Sequence, residues 1–331
     1  MKILIIKLGA IGDVIRTTSI LPGLKEKYKD CKIDWVTRKE SYDILKNNSL
    51  VEKIFTDFSQ IKDKYDLLIS LDDDDESCRI ATELKPKKLI GASLENGNKV
   101  YTKDSSIWFD IGLISKYGKK EADRLKTINK DTYQSIMYKI LDLKYKKQEL
   151  ILILNNDEKK FGLNFAKKNK IERNDLIIGM NTGAGGRWQD KKLSVVQTAE
   201  LIDQIKQALP KSKIILFGGP EEKKRNKEIA QSTKSGIIDA GCGNSLMEFS
   251  SLVDLCSVLV TSDSLAMHVA TALKKKIVVF FYPTSAAEIE VYGRGIKIIW
   301  NGKSYCSYQP KCKFPPKIEL GKIVDAVKMI R

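Results

Sequence analysis

Three short stretches carry residue types and spacings that could do chemistry. The first, Lys7-Leu8-Gly9-Ala10-Ile11-Gly12-Asp13, follows the apolar run Ile3–Ile6 and leads into a helical pattern. A strand, a glycine turn and a helix start place Asp13 near the mouth of a sheet, where a carboxylate either caps the helix or takes a proton from a hydroxyl. The spacing fits neither G-x-G-x-x-G nor G-x-x-x-x-G-K-[ST], so dinucleotide and P-loop readings lose their main support. The second stretch runs from Asn181 to Lys192, with Gly183, Gly185 and Gly186 beside Arg187, Lys191 and Lys192. A strand-to-helix loop of this composition can bring backbone N–H groups and cations to phosphate oxygens. A flexible loop with solvated lysines is the alternative.

The third stretch, Thr261-Ser262-Asp263-Ser264-Leu265-Ala266-Met267-His268, contains the single histidine of the chain. A strand ending at Thr261 and a helix capped by Asp263 or Ser264 leave early N–H groups for an anion, and His268 lies one turn on from Ser264. A histidine satisfied in the core is the plainer reading. With one histidine, a His-rich zinc site and a separate Ser-His-Asp triad are both excluded. Asp72 to Asp75 are four consecutive carboxylates that could suggest a divalent cation, but neighbouring side chains splay apart, so a solvated loop is expected. Cys306 and Cys312 have no partner pair nearby, and a structural or incidental role is expected rather than zinc.

The elements that must hold these residues alternate along the chain. Strands are expected at 2–7, 32–37, 53–56, 67–71 and 88–92, with helices at 14–28, 41–47 and 132–143 and a loop over 95–121. A lysine-rich passage, Lys144 to Lys147, precedes Leu150–Leu154 and marks the expected boundary between domains 1–150 and 151–331. The alternation then restarts, with strands at 176–180, 213–217, 236–239, 258–261 and 276–281 and helices at 195–209, 221–232, 246–256 and 265–273. Strands alternating with helices imply parallel sheets covered by helices, so two doubly wound α/β domains are expected.

The 331 residues suffice for two cores, and the 42% hydrophobic and 30% charged content is that of an ordinary globular chain. The apolar run Ile277–Tyr282 is far short of the ~20 residues that span a bilayer. No signal-peptide core precedes Lys7, so a cytosolic location with reduced thiols is expected. The net charge is +16, distributed as +5 over residues 1–150 and +11 over 151–331. Of the 58 basic residues 49 are lysine, which points to a generally basic surface rather than bidentate arginine recognition of phosphate. Residues 116–147 carry ten basic and four acidic side chains, suited either to anionic lipid or an acidic glycan or simply to water. No basic patch is interleaved with aromatic residues, which argues against nucleic acid as a partner.

Taken together these segments resemble glycosyltransferase family 9, the heptosyltransferases that build lipopolysaccharide core and related glycans. The resemblance rests on Gly12-Asp13-Val14, Trp188-x-x-Lys191, Gly218-Gly219-Pro220-Glu221-Glu222, Asp263-Ser264-x-x-x-His268 and Pro283-Thr284. It implies a GT-B fold, with a first Rossmann-like domain for the acceptor, a second for the nucleotide-sugar donor, and a last helix, 320–330, returning to the first domain. It implies Asp13 as general base, Lys191 as the phosphate lysine, Gly12 and Arg16 on the acceptor side, and Glu222 at the ribose. Asn244 falls where the family lines the base pocket. Gly185, Gly186, Arg187, Asp263, Ser264, Leu265, Ala266 and His268 would complete the diphosphate site.

Two positions depart from the family pattern. Leu265 stands where a glycine usually follows the Asp-[Ser/Thr] pair, and Tyr282 where Phe-Gly-Pro-Thr has its glycine. The function so implied is inverting, metal-independent transfer of heptose or a related sugar from an ADP-linked donor to a glycan or glycolipid hydroxyl. No cofactor beyond the nucleotide sugar is expected, and the place of work is the cytoplasm, with peripheral contact at the inner face of the cytoplasmic membrane. A sugar-nucleotide epimerase using the same donor site, and a non-catalytic basic protein binding RNA or membrane, are the alternatives.

Overall fold

The computed structural model describes residues 1–112, 117–186, 189–300, 302, 303, 305–308, 312 and 317–331. The chain forms two compact units, Met1–Ile153 with Ala287–Glu290, and Leu154–Ala286 with Val291–Arg331.

The first unit is built on β1 (Lys2–Ile6), β2 (Lys32–Val36), β3 (Lys53–Phe55), β4 (Leu67–Ser70), β5 (Lys88–Glu95) and β6 (Asn98–Tyr101). Their order in the sheet is β3-β2-β1-β4-β5-β6, parallel except for the antiparallel edge pair β5–β6. Ile3 pairs with Ile33 on one side and Leu67 on the other. A central parallel strand is covered on both faces, which is why Ile3–Ile6 read as an unbroken apolar run and are fully buried. The order reverses between β1 and β4, so the carboxyl ends of those strands form the switch point where open α/β sheets bind ligands.

The helix expected over 14–28 is two helices, Ile11–Thr17 and Ile20–Lys27. The hydroxyls of Thr17, Thr18 and Ser19 each donate to a carbonyl three or four residues back, which competes with the regular helical ladder at the break. Pro22 then falls in the first turn of the second helix, where no N–H is needed. The expected loop over 95–121 instead contains β6 and the helices Ser106–Phe109 and Lys119–Ile128. Their apolar contacts are few and scattered, so no long periodic pattern announced them.

The second unit holds β7 (Ile177–Asn181), β8 (Lys213–Phe217), β9 (Ile238–Asp239), β10 (Val258–Ser262), β11 (Lys276–Phe281) and β12 (Gly295–Ile299). All its pairings are parallel, in the order β12-β11-β10-β7-β8-β9. This is the doubly wound order, with the switch point between β7 and β10. The helix Asn156–Lys168 and β12 were not anticipated. The helix had a signal, since Asn155 and Glu158 form a reciprocal capping box.

The last helix, Leu320–Ile330, expected to return toward the first domain, belongs to the second unit. Its apolar stripe, Leu320, Ile323, Ala326 and Val327, is buried in the core of the second unit with Ile202, Ile205 and Val278. The segment that does join the first unit is the short Ala287–Glu290, where the Glu288 carbonyl accepts from the Tyr133 N–H at 2.8 Å. Among the described residues no helix is long and apolar enough to cross a membrane, and none of the six cysteines is joined in a disulfide.

Candidate functional site

In the first unit, the switch point is organised by Lys7 and Asp72, which follow β1 and β4. Lys7 is almost wholly buried and its ammonium is paired with Asp72 Oδ1. The other Asp72 oxygen accepts the Leu8 and Gly9 N–H groups at 2.6 and 2.9 Å. Burial opposes the Lys7 charge, but the carboxylates of Asp72 and Asp13 hold its pKa above the ordinary lysine value. The turn is close-packed: a Cβ at Gly9 would stand 3.1 Å from Asp72 Oδ1, a tight contact, and 3.5 Å from Asp13 Oδ2, an ordinary one.

Asp13 lies in the first turn of the helix Ile11–Thr17, beyond the buried Gly12. Its side chain is 33% exposed, and Oδ1 pairs with Arg16 Nη2 at 2.9 Å. Arg16 itself is fixed in place. Its guanidinium stacks 4.0 Å from the centroid of Tyr133, lies 5.4 Å from that of Trp108, and is 3.9 Å from Glu288. The Tyr133 hydroxyl shares a 2.6 Å hydrogen bond with Thr17, and burial raises its pKa, so it is a neutral partner. The result is a carboxylate with one oxygen oriented by a cation that cannot swing away.

The four consecutive acids are not one solvated loop. Asp72 clamps the β1 turn, the Asp73 carboxylate accepts from the Tyr101 hydroxyl, Asp74 caps the helix Asp75–Glu83 through Ser77, and Asp75 pairs with Lys99. Among the described residues no group of three or more His, Cys, Asp or Glu side chains is arranged to hold a metal. Asp72 is the organising residue that sequence reasoning missed. Its signal was an acid immediately beyond a buried strand, hidden by three identical neighbours.

In the second unit, the switch point brings the expected residues together from two loops. Lys191 Nζ donates to the Asp263 carboxylate at 2.9 Å and to the Asp263 carbonyl at 3.1 Å. Burial pushes the Asp263 carboxyl up, but the charges of Lys191 and His268 and the hydrogen bond from Lys191 outweigh it and hold its pKa at about 2. Asn181, the last residue of β7, donates to Thr261 Oγ1 at 3.0 Å and Ser264 Oγ at 3.3 Å, tying the two loops at their roots. Ser264 is the N-cap of the helix Leu265–Ala272 without a side-chain capping bond. Leu265 and Ala266 therefore begin the helix where backbone N–H groups precede the first intrahelical acceptor.

A second cluster lies at the carboxyl end of β8. Glu222 is buried, accepts from Lys192 Nζ at 2.7 Å and from the Gly219 N–H at 3.0 Å, and stands where a Cβ at Gly183 would come within 3.0 Å. Gly185 adopts a φ of 72°, favoured by glycine, and Gly186 faces Glu221 rather than Glu222. Asn244 is not joined to these clusters by any described hydrogen bond. Its amide closes the loop after β9 by donating to the carbonyls of Ala240 and Gly241. Arg187 and Trp188 lie outside the described residues.

Comparison with known proteins places this arrangement. The crystal structure of a glycosyltransferase family 9 protein from Veillonella parvula is similar over 99% of this chain and 96% of that one, with a TM-score of 0.79 and 16% identity. The ADP-heptose lipopolysaccharide heptosyltransferase II of E. coli is similar over 100% and 98%, with a TM-score of 0.67 and 18% identity. The E. coli heptosyltransferase WaaC with ADP is similar over 94% of each chain, with a TM-score of 0.58 and 17% identity. These likenesses establish the GT-B fold. In sequence, 64 residues are 39% identical to lipopolysaccharide heptosyltransferase 1 of Campylobacter coli, a stretch covering 19% of this chain and 18% of that relative. The model of glycosyltransferase family 9 (heptosyltransferase) matches residues 54–317, so the match includes the Lys191–Asp263 site and begins beyond Asp13. On that match, the chain belongs to glycosyltransferase family 9.

Proposed function

We propose that the chain is an inverting, metal-independent glycosyltransferase. It moves heptose or a related sugar from an ADP-linked donor to a hydroxyl of a lipopolysaccharide-core or similar glycan acceptor. The observation that carries this reading is the second-unit switch point, where a lysine, a histidine and the amino end of a helix converge on one acidic loop. Such a cradle suits a nucleoside diphosphate, whose negative charge grows as the glycosidic bond breaks. The ADP in the WaaC structure, and the ADP-2-deoxy-2-fluoro heptose in another, support an ADP-linked donor.

In this mechanism the Asp13 carboxylate takes the proton of the acceptor hydroxyl while the oxygen attacks the anomeric carbon from the side opposite the diphosphate. A single displacement inverts that carbon. Arg16 keeps Asp13 oriented. Lys191 turns from Asp263 to the leaving diphosphate, and the N–H groups of Leu265 and Ala266 receive its second phosphate, with His268 beside it. Glu222 is assigned to the ribose, Asn244 to the base, and Gly185, Gly186 and Arg187 to the loop over the phosphates. These groups supply the charge neutralisation, so turnover should survive chelation with EDTA.

Asp13→Asn is the decisive variant. Transfer should fall by ~10²–10⁴ while ADP still raises the melting temperature. Wild-type turnover in Asp13→Asn, or isomerisation of the donor without acceptor, would overturn the reading. We place the work on the cytoplasmic side, at the inner membrane face. The ten basic against four acidic residues of 116–147 and the exposed Ile107, Tyr117 and Ile128 support docking on anionic lipid. Sedimentation with vesicles should weaken as salt rises.

A further inference from the structure

The first unit contains a cavity of about 250 Å³ that none of the roles above uses. It opens at the carboxyl ends of β1 and β2, between the chain at Leu8 and the helix Asp75–Glu83. Its floor is apolar, with Leu8, Val36 and Ile80 all buried and Phe58 packed against them. The Arg79 guanidinium sits 4.5 Å from the Phe58 centroid and fixes that ring. Its rim is polar, made by Arg38, Lys39, Glu40 and Glu76. Arg38 does not move freely, since Nε donates to the Leu8 carbonyl at 3.0 Å and Nη2 pairs with Glu76 at 3.1 Å.

Size, charge and position each narrow the occupant. A cavity of this volume is below the ~300–1,000 Å³ usual for drug-sized ligands, so it fits one ring rather than a nucleotide. The two cations of the rim are matched by two carboxylates, so an anionic group would gain no net attraction. An apolar floor with alternating donors and acceptors at its edge suits a pyranose, which has a C–H face and a rim of hydroxyls. Leu8 borders the cavity and the next residue, Gly9, faces Asp13, where an added Cβ would stand 3.5 Å from Oδ2.

We propose that this cavity binds an uncharged, hydroxyl-rich sugar ring of the acceptor, next to the sugar whose hydroxyl reacts. The inference rests on the glycosyltransferase reading and adds to it a subsite and a ligand class. Glu40 and Glu76 accept from the ring hydroxyls, Arg38 donates to them, and Phe58 lies under the C–H face.

Saturation-transfer NMR on the full chain tests it, with maltose, lactose and methyl α-mannoside as neutral probes and glucuronic acid and glucose 6-phosphate as charged ones. ADP-induced stabilisation is followed in the same samples. A neutral glycoside should show transfer, and Glu76→Gln and the exposed Glu40→Gln should each weaken it about tenfold with the ADP shift unchanged. Preference for the charged sugars, no transfer to any neutral probe, or wild-type transfer in both variants would overturn the subsite while leaving the donor reading intact. Absence of an ADP shift in the wild-type chain would instead remove the donor reading, and the acceptor role of the cavity with it.

Discussion

The two units place a lysine–aspartate pair at the same point of the same sheet topology and use it differently. In the first, Lys7 directly follows β1 and Asp72 follows β4. In the second, Lys191 stands on the long loop after β7 and Asp263 directly follows β10. The Lys7 side chain is 3% exposed, and the Asp72 carboxylate is engaged by the ammonium and two backbone N–H groups. The Lys191 and Asp263 side chains are 10% and 17% exposed, beside the amino end of a helix and a histidine. A lysine carried on a strand end has no route to another partner, so its pair serves folding and the shape of the Gly9 turn. A lysine carried on a loop can exchange its carboxylate for an incoming phosphate. In the proposed mechanism the same pair of charges is a clamp in one unit and a ligand contact in the other because the backbone beneath it differs.

The comparison can be broken at the clamp. Lys7→Met leaves Asp72 buried without its cation, and uncompensated charges of this kind cost about 3–5 kcal/mol. The urea midpoint should fall accordingly, and the ADP shift should persist if the second unit still folds. A Lys7→Met variant as stable as wild type would show that the pair does not hold the turn. At the second site the expectation reverses. Lys191→Ala should lower turnover by ~10²–10³ and lower the urea midpoint less than Lys7→Met does, by at most the contribution on the order of 2 kcal/mol that the lowered Asp263 carboxyl makes, because His268 remains beside Asp263. Equal losses of stability in both variants would erase the distinction.

What the sequence revealed and what it hid follow from the same physics. The buried strands were legible because a parallel strand covered on both faces must be apolar at every position, as Ile3–Ile6 and Val258–Val260 are. The Lys191–Asp263 cluster was legible because glycines, lysines and the single histidine fall just after such strands. The roles of Asp72 and Arg16 were not legible in the same way. Asp72 acts through the geometry of a turn more than sixty residues away, and Arg16 depends on the rings of Tyr133 and Trp108. Neither contact leaves a local spacing to read. The destination of the last helix was hidden for a similar reason. An apolar stripe such as Leu320, Ile323 and Val327 says that a helix is covered, but not by which sheet.

The finest distinction between the two pairs is in acid. The Asp263 carboxyl is held at about 2, below the ordinary aspartate value of 3.8, because Lys191 and His268 favour its charged form more than burial opposes it. A carboxyl lowered by folding contributes stability above its unfolded pKa, and that contribution disappears as pH falls through the folded value. The window is therefore from about pH 4 down to about pH 2, and the amount lost is on the order of 2 kcal/mol. Asp263→Asn cannot titrate, so its stability should decline less steeply than wild type across that window, while Asp72→Asn should leave the contribution of Asp263 in place. Urea midpoints measured at intervals through the window separate the two variants. Parallel acid profiles for wild type and Asp263→Asn would mean that Lys191 does not hold Asp263 in the free protein. The proposed exchange of that lysine from carboxylate to phosphate would then have no starting state.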